Sequence, residues 1–278
     1  MKLEIPNELR GKELGKYLSG KLDEIADNIC QDPDELEKFV KRWNGGFHTY
    51  SINNTILIWL QKPEAIENPL IAGYKAWQGK GRQVNKGERS IRILAPNTKK
   101  IEDDNGDVTY IVTGYFPVSV FHISQTSKID GQPDLTEDLG CPDLISGYTD
   151  FERIANACPV PVNIKDLGLS NGNTDGKTIN ITPKKNKAAM CSTALHEWAH
   201  VALFHCEDPG VLFETEDRSI KEIEAETVNF IVCSAIGIQN NRSRLYLGSW
   251  EGEKAELQSR GKHLISVAES IIRKIAEE

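Results

Sequence analysis

The spacing of apolar and polar positions divides the chain into a helical start, a β-rich middle and a helical second half. "LEKFVKRW" and "INNTILIWLQ" place apolar residues at helical intervals and are separated by the Gly45–Gly46 pair. From Gly81 the pattern alternates. "GRQVNKGERSIRILAP" predicts a β-hairpin turning at Lys86–Gly87, and "EDDNGDVTYIVTGYFPVSVFHISQT" predicts an Asn105–Gly106 turn followed by a long β segment. An acidic stretch rich in Gly and Pro, "SKIDGQPDLTEDLGCPDLISG", marks the expected domain boundary. Beyond it, "YTDFERIANAC" reads as helix. "TINIT" reads as a strand with Ile179 and Ile181 on one face, ended by Pro183. Three helices follow, over about Ala188–Phe204, Ile220–Ile236 (with Gly237 as C-cap) and Gly252–Ile275. The expected fold class is α+β. Residues 1–127 form an α+β domain, 128–147 a linker, and 148–278 a mainly helical domain with a small sheet.

Composition adds an asymmetry. The 278 residues carry a net charge of −8. Between Lys75 and Lys100, however, eight Lys and Arg side chains stand against one acid, Glu88, a local excess of seven that leaves about −15 for the rest. The six cysteines are scattered without a C-x-x-C pair, which suggests neither a disulfide framework nor a cysteine zinc knuckle. No apolar run approaches the ~20 residues of a membrane helix. The charged start "MKLEIPNELRGKELG" lacks an apolar signal core, so a cytoplasmic protein with reduced thiols and no membrane partner is expected.

"TALHEWAHVALF" carries the candidate chemistry. On a helix His196 and His200 lie one turn apart on one face and can point their imidazoles at one ion. Glu197 leans over the same site, where it can act as general base toward water activated by zinc. The competing reading is a core helix whose histidines bond to backbone carbonyls. Its apolar surface makes it core in either case, and two histidines and a glutamate buried on one side are costly unless paired. A Zn²⁺ ion resolves that cost.

A catalytic zinc site needs a third protein ligand. The long H-E-x-x-H-x-x-G-x-x-H pattern fails here, because Leu203 stands at the glycine position; Cys206, at its last position, stays a minor alternative. His205 is five residues from His200 and off the ligand face. On the later helix, Glu222, Glu226, Asn229 and Cys233 form one stripe, while Glu224 points elsewhere. Glu222 is the leading ligand candidate, with Glu226 bonding the free nitrogen of a ligand histidine. Ser219-x-x-Glu222 also reads as a capping box, in which the glutamate only caps the helix. The polar edge of "TINIT" could hold an extended peptide by main-chain bonds.

Here the sequence resembles a family. "TINITPKKN", "TALHEWAHVALFH" and "IKEIEAETVNFIV" are similar to the metallopeptidase domain of ArdC-type antirestriction proteins and, more distantly, to the ImmA/IrrE gluzincins. In those, a Glu-x-x-Ala helix follows H-E-x-x-H, and its ligand glutamate falls on Glu222, before Ala225. Asn229 departs from the small apolar residue expected there. "YSINNTILIWLQKPEAI", "GYKAWQGKGRQVNKGERSIRILAP" and "VFHISQT" resemble the family's N-terminal single-stranded-DNA-binding domain. The resemblance implies a mobile-element protein that protects incoming DNA from restriction and hydrolyses a peptide bond in an unknown protein or peptide substrate.

Single-strand binders combine cations for phosphates with aromatics on which bases stack. Tyr74, Lys75, Trp77, Lys80, Arg82, Lys86, Arg89 and Arg92 form such a set, with a solvated β surface and a core Trp77 as the plain alternative. Trp59 reads as core. Two other functional readings stay open: a DNA-binding protein whose zinc is structural, which ligation by Cys206 would favour, and an ImmA-like protease that cleaves a repressor. Tyr246 is one candidate for oxyanion stabilisation, though nothing in the sequence selects it.

Overall fold

The computed structural model describes residues 3–66, 68–102, 108–134, 150–184, 186–206, 215–240 and 260–278. The fold is α+β, and the chain forms two compact units: residues 1–22 with 53–140, and residues 23–52 with 141–278. The segment 23–52 therefore packs with the second half of the chain, although it precedes the basic β region in sequence. Most of the expected linker, from residue 135 onward, lies outside the described residues.

In the first unit, β1 (Ile71–Ala72), β4 (Val108–His122) and β3 (Ile91–Glu102) form an antiparallel sheet in the order β1-β4-β3. The long β3–β4 ladder shifts register at Asn97/Thr98, where Thr113 is the extra residue and its hydroxyl donates to Asn97 O at 3.0 Å. The outer edge of β3 is closed by side chains. α1 (Gly11–Cys30), α2 (Pro33–Arg42) and α3 (Ile52–Gln61) are the amino-terminal helices, the short α4 (Tyr74–Gly79) follows β1, and α3 presents Asn54 and Gln61 two turns apart. Their amides pair with the backbone of Leu94 and Arg92, each donating to a carbonyl and accepting from an N–H at 2.8–2.9 Å. Side-chain amides thus occupy an edge that would otherwise recruit another strand.

The predicted hairpin at Lys86–Gly87 does not form. The turn exists, with Gly87 at φ +92. Its first arm, β2 (Arg82–Val84), pairs instead with β5 (Thr126–Lys128), and β3 pairs with β4. The non-local partner wins because β3 already has β4 on one edge and the α3 amides on the other. The Asn105–Gly106 turn lies outside the described residues, but the long strand expected after it is β4.

In the second unit, β6 (Val162–Ile164), β8 (Ile179–Ile181) and β7 (Gly172–Thr174) make a small mixed sheet in the order β6-β8-β7. Ile179 and Ile181 are buried, as the alternation requires. α5 (Phe151–Ala157), α6 (Lys187–Ala202) and α7 (Thr215–Ala235) follow, with α6 packed between the sheet and α7. Asn186 caps α6 by accepting from Ala189 N at 3.2 Å. Gly237, at φ +75, ends α7 as expected, with Ile238 N donating to Cys233 O at 2.9 Å. The last helix, α8, is described over Gly261–Glu277; its expected start near Gly252 lies outside the described residues.

The start of α8 explains why residues 23–52 belong to this unit. Gly261 N donates to Asp27 Oδ1 at 2.8 Å, and Lys262 pairs with Asp23 at 2.6 Å. A β-carbon on Gly261 would stand 2.7–2.8 Å from the backbone of Ala26 and Asp27, so only glycine permits the approach. Gly261→Ala is expected to destabilise the protein by about 1–3 kcal/mol through overpacking. Gly20→Ala, at an exposed helical site with nothing within 4 Å, should be neutral or stabilising by up to ~1 kcal/mol. Urea melts of both variants check this; equal effects would contradict it.

Candidate functional site

α6 is apolar around most of its surface, and Met190, Cys191, Ala194, Leu195, Trp198 and Ala199 are buried. The remaining stripe carries His196, Glu197 and His200 into a cavity of about 780 Å³ shared with α7 and β7. Their Nε2 atoms stand 3.2 Å apart. Glu222 of α7 brings one carboxylate oxygen to 3.4 Å from His196 Nε2 and the other to 3.6 Å from His200 Nε2. Donors ~2.0–2.1 Å from a tetrahedral ion are separated by about 3.3 Å, so these three residues fit a divalent metal. They are also the group of His, Cys, Asp and Glu side chains that could hold a metal ion among the described residues. Cys206 lines the cavity but stands outside that group.

The capping-box reading of Glu222 fails for a geometric reason. α7 begins at Thr215, a full turn before Ser219, so Glu222 lies inside the helix. The stripe read from the sequence faces α6. Glu226 Oε1 stands 3.4 Å from His196 Nδ1, close to the expected orienting position, although that buried nitrogen makes no hydrogen bond. Asn229, the departure from the family pattern, sits with its amide nitrogen 3.4 Å from both Ser192 Oγ and Glu226 Oε2. Its polarity thus serves the same network.

Burial pushes the Glu197 carboxyl up to about 7, with His196 opposing the rise and Glu222 and Glu226 adding to it. Burial also holds His200 well below the ordinary imidazole range, with neighbouring His196 acting in the same direction. His196 is buried too, which by itself lowers its pKa; the surrounding carboxylates, Glu222 first, reverse this and raise it.

β7, not β8, borders the cleft. The strand "TINIT" holds the middle of its sheet, and Gly172–Thr174 supplies the edge that lines the cavity. Gly172 is placed against Glu197: a β-carbon there would meet the Thr193 methyl at 2.7 Å and Glu197 Oε1 at 3.0 Å. Tyr246 lies outside the described residues.

Sequence reasoning missed two participants. His205 stands with Nδ1 3.0 Å from His200 Nδ1, and its Nε2 is 3.0 Å from Glu224 Oε2. Helical periodicity cannot find His205, because the helix has already ended.

The basic set of the first unit is scattered. Trp77, expected as a stacking surface, is 0% exposed, and its indole N–H donates to Phe121 O at 2.9 Å; it is core. Arg82 is committed to Asp134 at 2.8 Å and to Thr126. Tyr74, Lys75, Lys86 and Arg89 are exposed, and Lys80 is half-buried. Arg92 points away from buried Ile91 and Ile93, as the alternation predicts. It lines a groove of about 610 Å³ with Arg10, Lys12, Tyr115 and Phe116. Those two aromatics are 61% and 48% exposed. None of the four was selected from the sequence, since Tyr115 and Phe116 read as ordinary strand residues.

Among the described residues no helix is long and apolar enough to cross a membrane. In comparison with known proteins, residues 23–121 match the model of the N-terminal domain of anti-restriction factor ArdC. An uncharacterized protein of Bacillus anthracis, pXO2-81, is 22% identical over 289 residues. That alignment covers 87% of this chain and 47% of the relative, so the chain spans about half the relative's length. Two crystal structures of the antirestriction ArdC protein from the R388 plasmid are also similar. The metal-free one is 21% identical with a TM-score of 0.49, and the Mn(II)-bound one 18% identical with a TM-score of 0.48; each match covers 92% of this chain and 95% of the other. The segment 23–121, which matches the model of that N-terminal domain, precedes α6 and α7 in the sequence.

Proposed function

We propose that the chain is an antirestriction protein that binds single-stranded DNA through its first unit and hydrolyses a peptide bond at a zinc site in its second. The observation that carries the peptidase reading is the convergence of His196 Nε2, His200 Nε2 and Glu222 beside a buried Glu197, in an open cleft. Three protein donors facing a cavity suit a catalytic site better than a closed structural one. A divalent ion held there supplies Lewis acidity to the scissile carbonyl and to the attacking water. The chain's own residues do the rest. The free edge of β7 offers main-chain groups to an extended peptide. Glu197, buried beside His196, takes the proton from the attacking water and returns it to the leaving amine. Glu226 orients His196.

The DNA reading is supported by the groove. Arg10, Lys12 and Arg92 offer phosphate contacts and Tyr115 and Phe116 offer stacking surfaces, the pairing that sequence-tolerant single-strand binding needs.

Purified protein should contain close to one zinc per chain, lost in His196→Ala; elemental analysis showing none in wild type that retains its fold would defeat the metal assignment. Glu197→Gln should keep the metal and lose peptidase activity by about 10²–10⁴-fold or more, the usual contribution of a general base.

The same variant has a folding signature without metal. The Glu197 pKa is raised from 4.5 to about 7, so the folded state holds this proton more tightly than the unfolded state. The stability it contributes is present below about pH 4.5 and is lost as pH rises toward 7. Metal-free Glu197→Gln should therefore be more stable than metal-free wild type at pH 8, by on the order of 1–2 kcal/mol, with the difference shrinking toward pH 4.5. Denaturant melts at both pH values would expose an equal or inverted difference.

For DNA, Tyr115→Ala and Phe116→Ala in the full chain should each weaken oligonucleotide binding by ~1–3 kcal/mol with little change in salt slope. Arg10→Ala, Lys12→Ala and Arg92→Ala should each lower the slope by about one at most. Fluorescence anisotropy at several salt concentrations separates the two behaviours, and unchanged affinity in both aromatic variants would remove the groove from the account.

A further inference from the structure

α6 ends in a way that its sequence does not advertise. Phe204 takes φ +58, the left-handed conformation that usually calls for glycine, and it is the one non-glycine residue with positive φ among those described. Phe204 N donates to Val201 O at 3.1 Å, and His205 N donates to His200 O at 3.0 Å. These are the two bonds of a Schellman turn, in which the residue after the left-handed position folds back over the third helical residue from the end. That pair is ordinarily apolar. Here it is His205 over His200.

The rest of the arrangement is a chain of polar contacts. His200 Nδ1 lies 3.0 Å from His205 Nδ1, and His205 Nε2 lies 3.0 Å from Glu224 Oε2. The other oxygen of Glu224 pairs with Arg260 Nε at 2.6 Å. The side chains of His205 and Glu224 are 6% and 1% exposed. One assignment of protons satisfies every member. His200, presenting Nε2 to the site, carries its hydrogen on Nδ1 and donates it to His205 Nδ1. His205 then carries its hydrogen on Nε2 and donates it to the Glu224 carboxylate, which Arg260 balances. His196 has a shorter arrangement, its Nδ1 facing Glu226 directly at 3.4 Å.

Resting on the metal reading above, we propose that His205, held by Glu224 and Arg260, is a positioning residue that fixes the tautomer and ring orientation of His200 for metal binding. The left-handed Phe204 is the backbone cost of putting it there: strain of this kind persists only where surrounding contacts over-determine it. His205 and Glu224 lie outside the donor group of His196, His200 and Glu222. Their effect is on how well His200 presents Nε2 to it, and outer partners of this type commonly change metal affinity by about 10–100-fold.

The test uses the full chain stripped of metal and titrated with Co(II), read by visible absorption, and with Zn(II) by chelator competition. His205→Phe and His205→Met keep an apolar Schellman contact but offer no nitrogen acceptor to His200. His205→Gln offers an amide oxygen in its place. Metal-free melts identify which variants fold. The expected result is a Zn(II) dissociation constant raised about 10–100-fold in His205→Phe or His205→Met, whichever folds, together with a shifted Co(II) band. His205→Gln should recover at least part of both. A folded Phe or Met variant with wild-type affinity and wild-type Co(II) spectrum overturns the proposal, and so does a Gln variant no better than Phe and Met. Wild type that takes up neither metal would instead overturn the metal reading itself, so the two failures are distinct.

Discussion

The site depends on one constraint: α6 is a core helix that must bury two histidines and a glutamate. Its apolar faces are committed to the sheet and to neighbouring helices. The remaining stripe has little water to solvate it, and unpaired ionisable groups in such a place are expensive. The surrounding elements answer that cost in different ways. α7 sends Glu222 toward both Nε2 atoms and Glu226 toward His196 Nδ1, and the turn after α6 folds His205 back onto His200 Nδ1. What is left after these pairings is a set of lone pairs directed at one point. That is the arrangement the proposed metal site would use, in place before any metal arrives.

Glu197 shows the same constraint used for another purpose. It lies on the same stripe, but its surroundings raise its pKa instead of giving it a fixed cationic partner. Gly172 keeps β7 close enough to confine it without striking its side chain. A carboxyl whose pKa is raised by burial favours its protonated form in the metal-free fold, so that fold should lose stability as pH rises toward neutrality.

Much of this was legible because helical geometry is periodic. The spacing of His196 and His200 and the stripe from Glu222 to Cys233 follow from 3.6 residues per turn, and the two helices face each other along those stripes. Legibility ended where periodicity did. His205 looked misplaced by five residues because a left-handed Phe204 reverses the chain, and nothing in a phenylalanine announces that conformation. Glu224, off the stripe, was passed over for the same reason: its partners come from the turn and from the start of α8. In the first unit the alternation correctly placed Arg92 opposite Ile91 and Ile93, and β4 formed as a long strand. Pairing was another matter. The local turn at Lys86–Gly87 suggested a hairpin, yet β2 found β5 some forty residues away, because the α3 amides had already occupied the outer edge of β3. Trp77, surrounded in sequence by cations, is core because its indole N–H has a carbonyl to satisfy it. The more exposed aromatics, Tyr115 and Phe116, sit on β4, where strand propensity gave them no distinction.

The most direct test of the account is a crystal structure of the zinc-loaded protein, with anomalous diffraction measured on both sides of the zinc absorption edge. The account predicts one strong peak bonded to His196 Nε2, His200 Nε2 and a Glu222 oxygen at ~2.0–2.2 Å, with one coordination position open toward Glu197 and the cleft. A peak bonded to Cys206 or Glu226 in place of Glu222, or an ion closed off by a fourth protein ligand, would contradict it.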